Sequence, residues 1–203
     1  MEIPIVVPLK DAANSIFMGV NLARVPPQAG ETVSVPVIHV KDLTEGILSD
    51  AESLETVEIS ESFQLGRQRL QTDDLLISAR GTLMKTTVIH ATHSGTIASA
   101  NFIVVRMGEN PILSPVLLNA FLQQPRVLAR VLSRAPSTAQ SALTIRDLET
   151  LPIPIPAPEL QPVLAHFLKV SEDHYRTAID VARLRKEEAM EILAQYMDLR
   201  DAS

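Results

Sequence analysis

Residues 142–161, Ala142-Leu143-Thr144-Ile145-Arg146-Asp147-Leu148-Glu149-Thr150-Leu151-Pro152-Ile153-Pro154-Ile155-Pro156-Ala157-Pro158-Glu159-Leu160-Gln161, decide how this chain is built. Thr144 is a good N-cap, and Asp147 and Glu149 place acid in the first turn, so the stretch opens as a short helix. From Leu151 to Pro156 a proline follows every apolar residue. That spacing forbids a helix and removes the donors a central strand needs. An edge strand or a stiff polyproline-like segment remains. At Pro158 the pattern changes again, with proline as a helix starter ahead of Glu159. The stretch reads as a rigid hinge between a β-rich body and a helical arm.

Downstream of the hinge, Leu164, Leu168, Ser171, Tyr175, Ala178, Ala182, Ala189, Leu193 and Tyr196 fall on one helical stripe, with Lys186 interrupting it. A helix from Pro158 to about Asp198 is roughly 60 Å long at 1.5 Å per residue. A small core cannot cover that length, so the stripe calls for a partner helix. Upstream, residues 3–9, 33–40, 56–59, 75–78, 86–91 and 96–107 are β-branched or apolar runs that read as strands. The last two are separated by His93-Ser94-Gly95, as in a hairpin. Residues 41–47 read as a turn closing on Gly46, and Gly81 suits a turn with positive φ. Residues 115–132 read as a helix broken near Gln124 by Pro125. The expected class is α/β (α+β): one globular domain over 1–157 and a long helix over 158–203.

The chain has 203 residues, 46% of them hydrophobic but only 3% aromatic, with no Trp. Its core must be aliphatic, and base stacking on aromatic platforms is excluded as a main mode of action. The absence of Cys removes disulfides, thiolate zinc sites and a cysteine nucleophile. No apolar run reaches the roughly 18 residues that span a bilayer. The N-terminus lacks the features of a signal peptide, so a soluble cytoplasmic protein is expected. The net charge is −6, but it is unevenly spread. Residues 1–63 carry three basic and ten acidic side chains, residues 64–146 nine and three, and residues 147–203 six and eleven. A basic centre between acidic flanks fits a surface for a polyanion.

Little in the sequence supports catalysis. His90 and His93 lack a nearby carboxylate to complete a metal set and read as surface or core histidines. Asp73-Asp74 precedes a strand and reads as turn chemistry. Gly81-Thr82-Leu83-Met84-Lys85 lacks the pattern of a phosphate loop, and seven glycines leave no glycine-rich cofactor loop. Neither metal nor cofactor is expected. The basic residues carry more information. Arg67 and Arg69 share one side of a possible strand. Arg80 and Lys85 flank the Gly81 turn, and Arg126, Arg130 and Arg134 recur every four residues on a helix. Arginine and lysine supply phosphate affinity, and arginine can read guanine edges.

Four segments together resemble the specificity (S) subunits of type I restriction–modification systems. Val7-Pro8-Leu9-Lys10-Asp11-Ala12-Ala13 with Gly19 resembles the opening of a target recognition domain. Pro36 to Gly46 is similar to a family segment ending in Asp-Leu-x-x-Gly. Asp73-Asp74-Leu75-Leu76-Ile77-Ser78-Ala79-Arg80-Gly81-Thr82 with Lys85 resembles the family's Gly-Asp-Ile-Leu-Ile-Ser-x-x-Gly-Thr-x-x-Lys, with Asp73 where Gly is usual. Residues 141–161 resemble the proline-rich junction that leads into the spacer helix.

The resemblance implies a target recognition domain that reads half of a split double-stranded DNA sequence, and a spacer helix that pairs antiparallel with its counterpart and docks methyltransferase subunits. It implies no chemistry in this chain: in the family, modification subunits hold S-adenosylmethionine and a restriction subunit cuts. Family members carry two recognition domains and two helices, whereas this sequence has one of each. A half-length subunit working as a homodimer on a symmetric, interrupted site is therefore expected. A degenerate half-subunit that binds only protein is the alternative. The DNA-contacting candidates are Arg67, Arg69, Arg80, Thr82, Lys85, Thr138, Gln140 and Ser141. The partner-helix candidates are Leu164, Leu168, Tyr175, Ala178, Ala182 and Leu193.

Overall fold

The computed structural model describes residues 4–24, 32–60, 65–81, 84–133 and 142–201. The chain divides into two compact units, Met1–Gln161 and Pro162–Ser203. The first is an α+β body and the second is helical.

The proline stretch is a strand. β1 (Ile5–Pro8) and β11 (Pro152–Ile155) form a two-stranded antiparallel ribbon, with Val7 opposite Ile153 and Pro8 opposite Pro152. Leu9 N donates to Leu151 O at 2.9 Å, which sets the parity of the ladder. Odd-numbered residues therefore turn their N–H groups inward to the partner strand, while Pro8, Pro152 and Pro154 lie at positions whose nitrogens face outward. The alternation removes only donors that the ribbon does not use. It also strips the outer edge of β11 of donors and leaves that of β1 only the Val6 N–H, which blunts both edges against pairing with another strand. Just before β11, α4 (Ile145–Glu149) starts at Thr144, whose side chain and the Asp147 carboxylate cap each other's backbone N–H groups.

The centre of the body is a four-stranded antiparallel sheet in the order β2 (Ser15–Met18), β10 (Phe102–Arg106), β7 (Leu75–Ser78), β8 (Thr86–Val88). β7 and β10 are buried at every residue. A three-stranded sheet, β6 (Glu55–Ser60), β3 (Thr32–Ile38), β9 (Ile97–Ala98), lies beside it, with β9 parallel to β3. Period-2 alternation divides β3 between two cores. Val35 and Val37 pack with Val20, Ile59 and Ile97, while Ile38 joins Phe17, Leu76, Phe102 and Val104 in the main cluster. Gly19 crosses this junction so closely that a Cβ there would lie 2.2 Å from Ser99 O.

Three expectations need correction. Residues 86–91 and 96–107 do not form a hairpin: β8 pairs with β7, and the second run divides at residues 99–101 into β9 and β10, which belong to different sheets. A turn closed by Phe102 N donating to Ser99 O makes the switch. Arg67 does not lie in a strand but in a 3₁₀ turn, Gly66–Gln68. The long helix, α5, runs Gln161–Asp201 and starts three residues later than Pro158. The cause is Pro162, which has no N–H to offer the carbonyl of residue 158 and whose ring would clash with it, so it must sit in the first turn. Two expectations hold in detail. α2 (Pro115–Leu122) and α3 (Pro125–Leu132) break at Gln124. The expected turn closing on Gly46 is also present; the structure adds that it joins β4 (Leu43–Thr44) to β5 (Ile47–Leu48) in a hairpin, with Glu45 and Gly46 both at positive φ.

Candidate nucleic-acid interface

Arg67, Arg69 and Arg106 converge around Phe17 and the loop before β7. The guanidinium of Arg67 lies 5.5 Å from the Phe17 ring centroid and that of Arg106 lies 5.3 Å from it. Arg106 is buried at the end of β10 and holds Asp74 with two hydrogen bonds, Nε to Oδ1 at 2.8 Å and Nη2 to Oδ2 at 2.6 Å. Nη2 also donates to Arg69 O, and Asp74 Oδ2 accepts from Gln71 N. A fork of this kind fixes the 69–74 backbone. Arg69 and Arg67 themselves remain exposed, with Arg69 Nη1 donating to Gly95 O at 3.0 Å. Two exposed cations are thus carried on a loop that a buried cation holds still.

Arg80 and Lys85 lie at the other end of β7. From Asp74 to Arg80 an extended chain covers about 20 Å, so the two basic groups occupy opposite ends of the central sheet. Arg80 is exposed and has no hydrogen bond or ion pair among the described residues. It sits beside Gly81, whose φ of 75° makes the sharp turn after β7. Lys85 has a different setting. It is half-buried, and its ammonium donates to Leu43 O at 2.7 Å, tying the β4–β5 hairpin to the sheet. Thr82, Thr138, Gln140 and Ser141 lie outside the described residues, as does Arg134. Arg126 and Arg130 are exposed on α3, opposite buried Val127 and Val131.

Other charged groups are already engaged. Lys41 and Glu55 pair at 2.8 Å; the hydrogen bond from the ammonium lowers the Glu55 pKa and raises that of Lys41. His93 is buried, its Nε2 donating to Ser49 O at 2.9 Å and its Nδ1 hydrogen-bonded to Thr92 Oγ1 at 3.1 Å, so both ring nitrogens have partners. Among the described residues no group of His, Cys, Asp and Glu could hold a metal ion. No described helix is long and apolar enough to cross a membrane. A cleft of about 880 Å³ opens beside Arg106, but Asp11, Asp73, Asp74 and Glu109 line it, and that sign of charge repels phosphate.

The Arg106–Asp74 fork was not foreseen, since 32 residues separate the partners. One signal was available: Asp74 sits at the mouth of the apolar run Leu75-Leu76-Ile77, where a carboxylate needs a cation. Gln161, the last residue of the body, was foreseen only as part of the proline-rich junction. Its side-chain amide accepts from Ser114 N at 3.0 Å and donates to Ile112 O at 2.8 Å and Pro156 O at 3.2 Å. It closes the body onto the 112–114 loop.

No protein-family model matches the sequence, and no curated protein matches it. Solved structures do share its fold. One is a chain in a structure of the assembly and conformational transition of a type I R-M system, 20% identical, matched over 95% of this chain and 45% of that one with a TM-score of 0.65. Another is the HsdS subunit of Thermoanaerobacter tengcongensis, 18% identical over 90% of this chain and 45% of that one, at 0.62. A third is the type I restriction–modification S subunit of M. genitalium, 14% identical over 87% and 42%, at 0.53. This chain spans less than half the length of each. The likeness establishes that the body and the helix have the fold found in S subunits.

Proposed function

We propose that this chain, which shares its fold with type I S subunits, is a non-catalytic DNA-specificity module. Its body reads half of a bipartite DNA target. Its helix joins a second copy and docks methyltransferase subunits, with or without a restriction subunit. The observation that carries the reading is the fold match over 95% of the chain, together with exposed Arg67, Arg69, Arg80, Arg126 and Arg130 on the segment that holds most of the positive charge. Phosphate contacts by these arginines would supply salt-dependent affinity, and loop side chains between them would supply sequence. The test is binding to duplex DNA across a salt series, followed by mapping of methylated adenines in complexes with a co-purified methyltransferase. Binding that weakens linearly in log–log with salt supports the reading; no binding at low salt overturns it.

A second reading, a protein-only half-subunit, has its own support. Arg106 is paired inside the body, Lys85 is engaged by a carbonyl, and Lys41 is neutralised by Glu55. The net charge of −6 then acts against polyanion binding. The same salt series separates the two.

A further inference from the structure

The turn at residues 99–102, where the chain passes from β9 to β10, is pinned by three backbone bonds. Ser99 N donates to Ile38 O at 3.0 Å, Phe102 N to Ser99 O at 3.0 Å, and Ala79 N to Asn101 O at 2.7 Å. Ala79 is buried, and its own carbonyl accepts from Leu143 N at 2.9 Å, so the residue before Arg80 is held from both sides. Arg80, Gly81 and Asn101 are exposed at this corner of the central sheet. Gly81 has no atom within 4 Å of where a Cβ would stand, so its backbone is open to close approach. Asparagine is common in turns because it tolerates positive φ and because its side chain bonds nearby backbone. Asn101 does neither: its φ is not positive, and its side chain makes no hydrogen bond among the described residues. Turn chemistry therefore does not account for its carboxamide. Other exposed carboxamides are placed differently. Asn14, Gln71 and Asn110 line the acidic cleft, and Asn21 Oδ1 accepts from Ala23 N at 3.2 Å.

We infer that Asn101 is a base-reading residue that takes an adenine in the major groove, and that Arg80 holds a phosphate beside it. The inference rests on the DNA-specificity reading above and adds which side chain carries sequence and which base it takes. A carboxamide offers an acceptor and a donor side by side, which fit the N6 amino group and N7 of adenine together. No other base presents that pair in the groove. Arg80 supplies affinity without sequence, as phosphate contacts do. The rigid backing of both residues matters because a two-bond contact tolerates little misplacement. The Arg67 end of the sheet is less suited to this task. Its carboxamides share the cleft with Asp11, Asp73 and Glu109, whose charge repels the phosphates that flank any base.

The test is selection by the full chain from a pool of duplexes with a randomised core, followed by sequencing. The wild-type chain should select a motif with adenine at one position. Asn101→Ala should keep the rest of the motif and lose about tenfold or more of the preference at that position. Asn101→Asp, isosteric but without the donors, should move the preference there towards cytosine, whose amino group needs an acceptor. Replacing the selected adenine with 7-deazaadenine, which lacks the N7 acceptor, should weaken wild-type binding and leave binding by Asn101→Ala unaffected. Arg80→Ala should weaken all selected duplexes alike with the motif unchanged; an altered motif overturns its phosphate role. The wild-type motif retained in both Asn101 variants overturns the assignment of Asn101. Wild-type binding with no base preference also overturns it, while leaving DNA binding itself intact. Absence of duplex binding at low salt overturns the DNA-specificity reading on which the inference rests.

Discussion

In the body, Phe102, Leu76 and Val104 are wholly buried, whereas along the helix Phe167, Ile192 and Tyr196 are largely open. The body contains its own partners, down to a buried Arg106–Asp74 fork that satisfies a carboxylate inside the fold. The helix contains a stripe without a cover. A helix of this length with an apolar stripe obtains its stability from what it packs against. The two regions therefore differ in where their stability resides: in contacts made inside the fold for the body, and in whatever covers the apolar stripe for the helix.

The largest test of that difference is Arg106→Ala. It leaves Asp74 buried and unpaired, and thermal or denaturant unfolding should show the body losing about 3–5 kcal/mol. If stability is unchanged, the fork is not what holds the 69–74 loop. Next is the middle of the helix. Ala178→Glu with Ala182→Glu should reduce the proposed self-association at least a hundredfold by sedimentation, about 2.8 kcal/mol at 1.4 kcal/mol per decade. The melting of the body should not move. A body that melts earlier would erase the contrast. Arg80→Ala should weaken DNA binding a few-fold to a hundredfold and flatten its salt dependence without altering unfolding. Lys85→Ala should do the reverse, costing about 1 kcal/mol of body stability through the lost bond to Leu43 O, with DNA affinity falling only as far as the hairpin loosens. The smallest expected effect is at Asp73, a non-glycine residue at φ 71°. Asp73→Gly should raise stability by up to about 1 kcal/mol by relieving left-handed backbone strain, measurable as a small rise in Tm.

The readable parts of the fold were those set by local chemistry. The proline alternation at 152–156, the break at Pro125 and the Glu45-Gly46 turn each follow from a backbone restriction within a few residues. The helix start was misread because Pro158 and Pro162 both look like starters, and only the i−4 clash decides between them. Residues 96–107 were misread because β-branched residues run almost unbroken across a change of sheet. In the candidate site the arginines were visible as a charge excess, but not their division between the two ends of β7. Nor does sequence reveal that Lys85 meets a carbonyl 42 residues upstream.

The β1–β11 ribbon has a consequence in time. It joins Ile5 to Ile155, so nearly the whole body lies within the loop it closes. Closing so long a loop is entropically slow compared with forming local pairs such as β7–β8. During synthesis, β1 has no partner until β11 has left the ribosome, and the helix is made only after that. The body is thus completed by its last strand, just before the long helix appears.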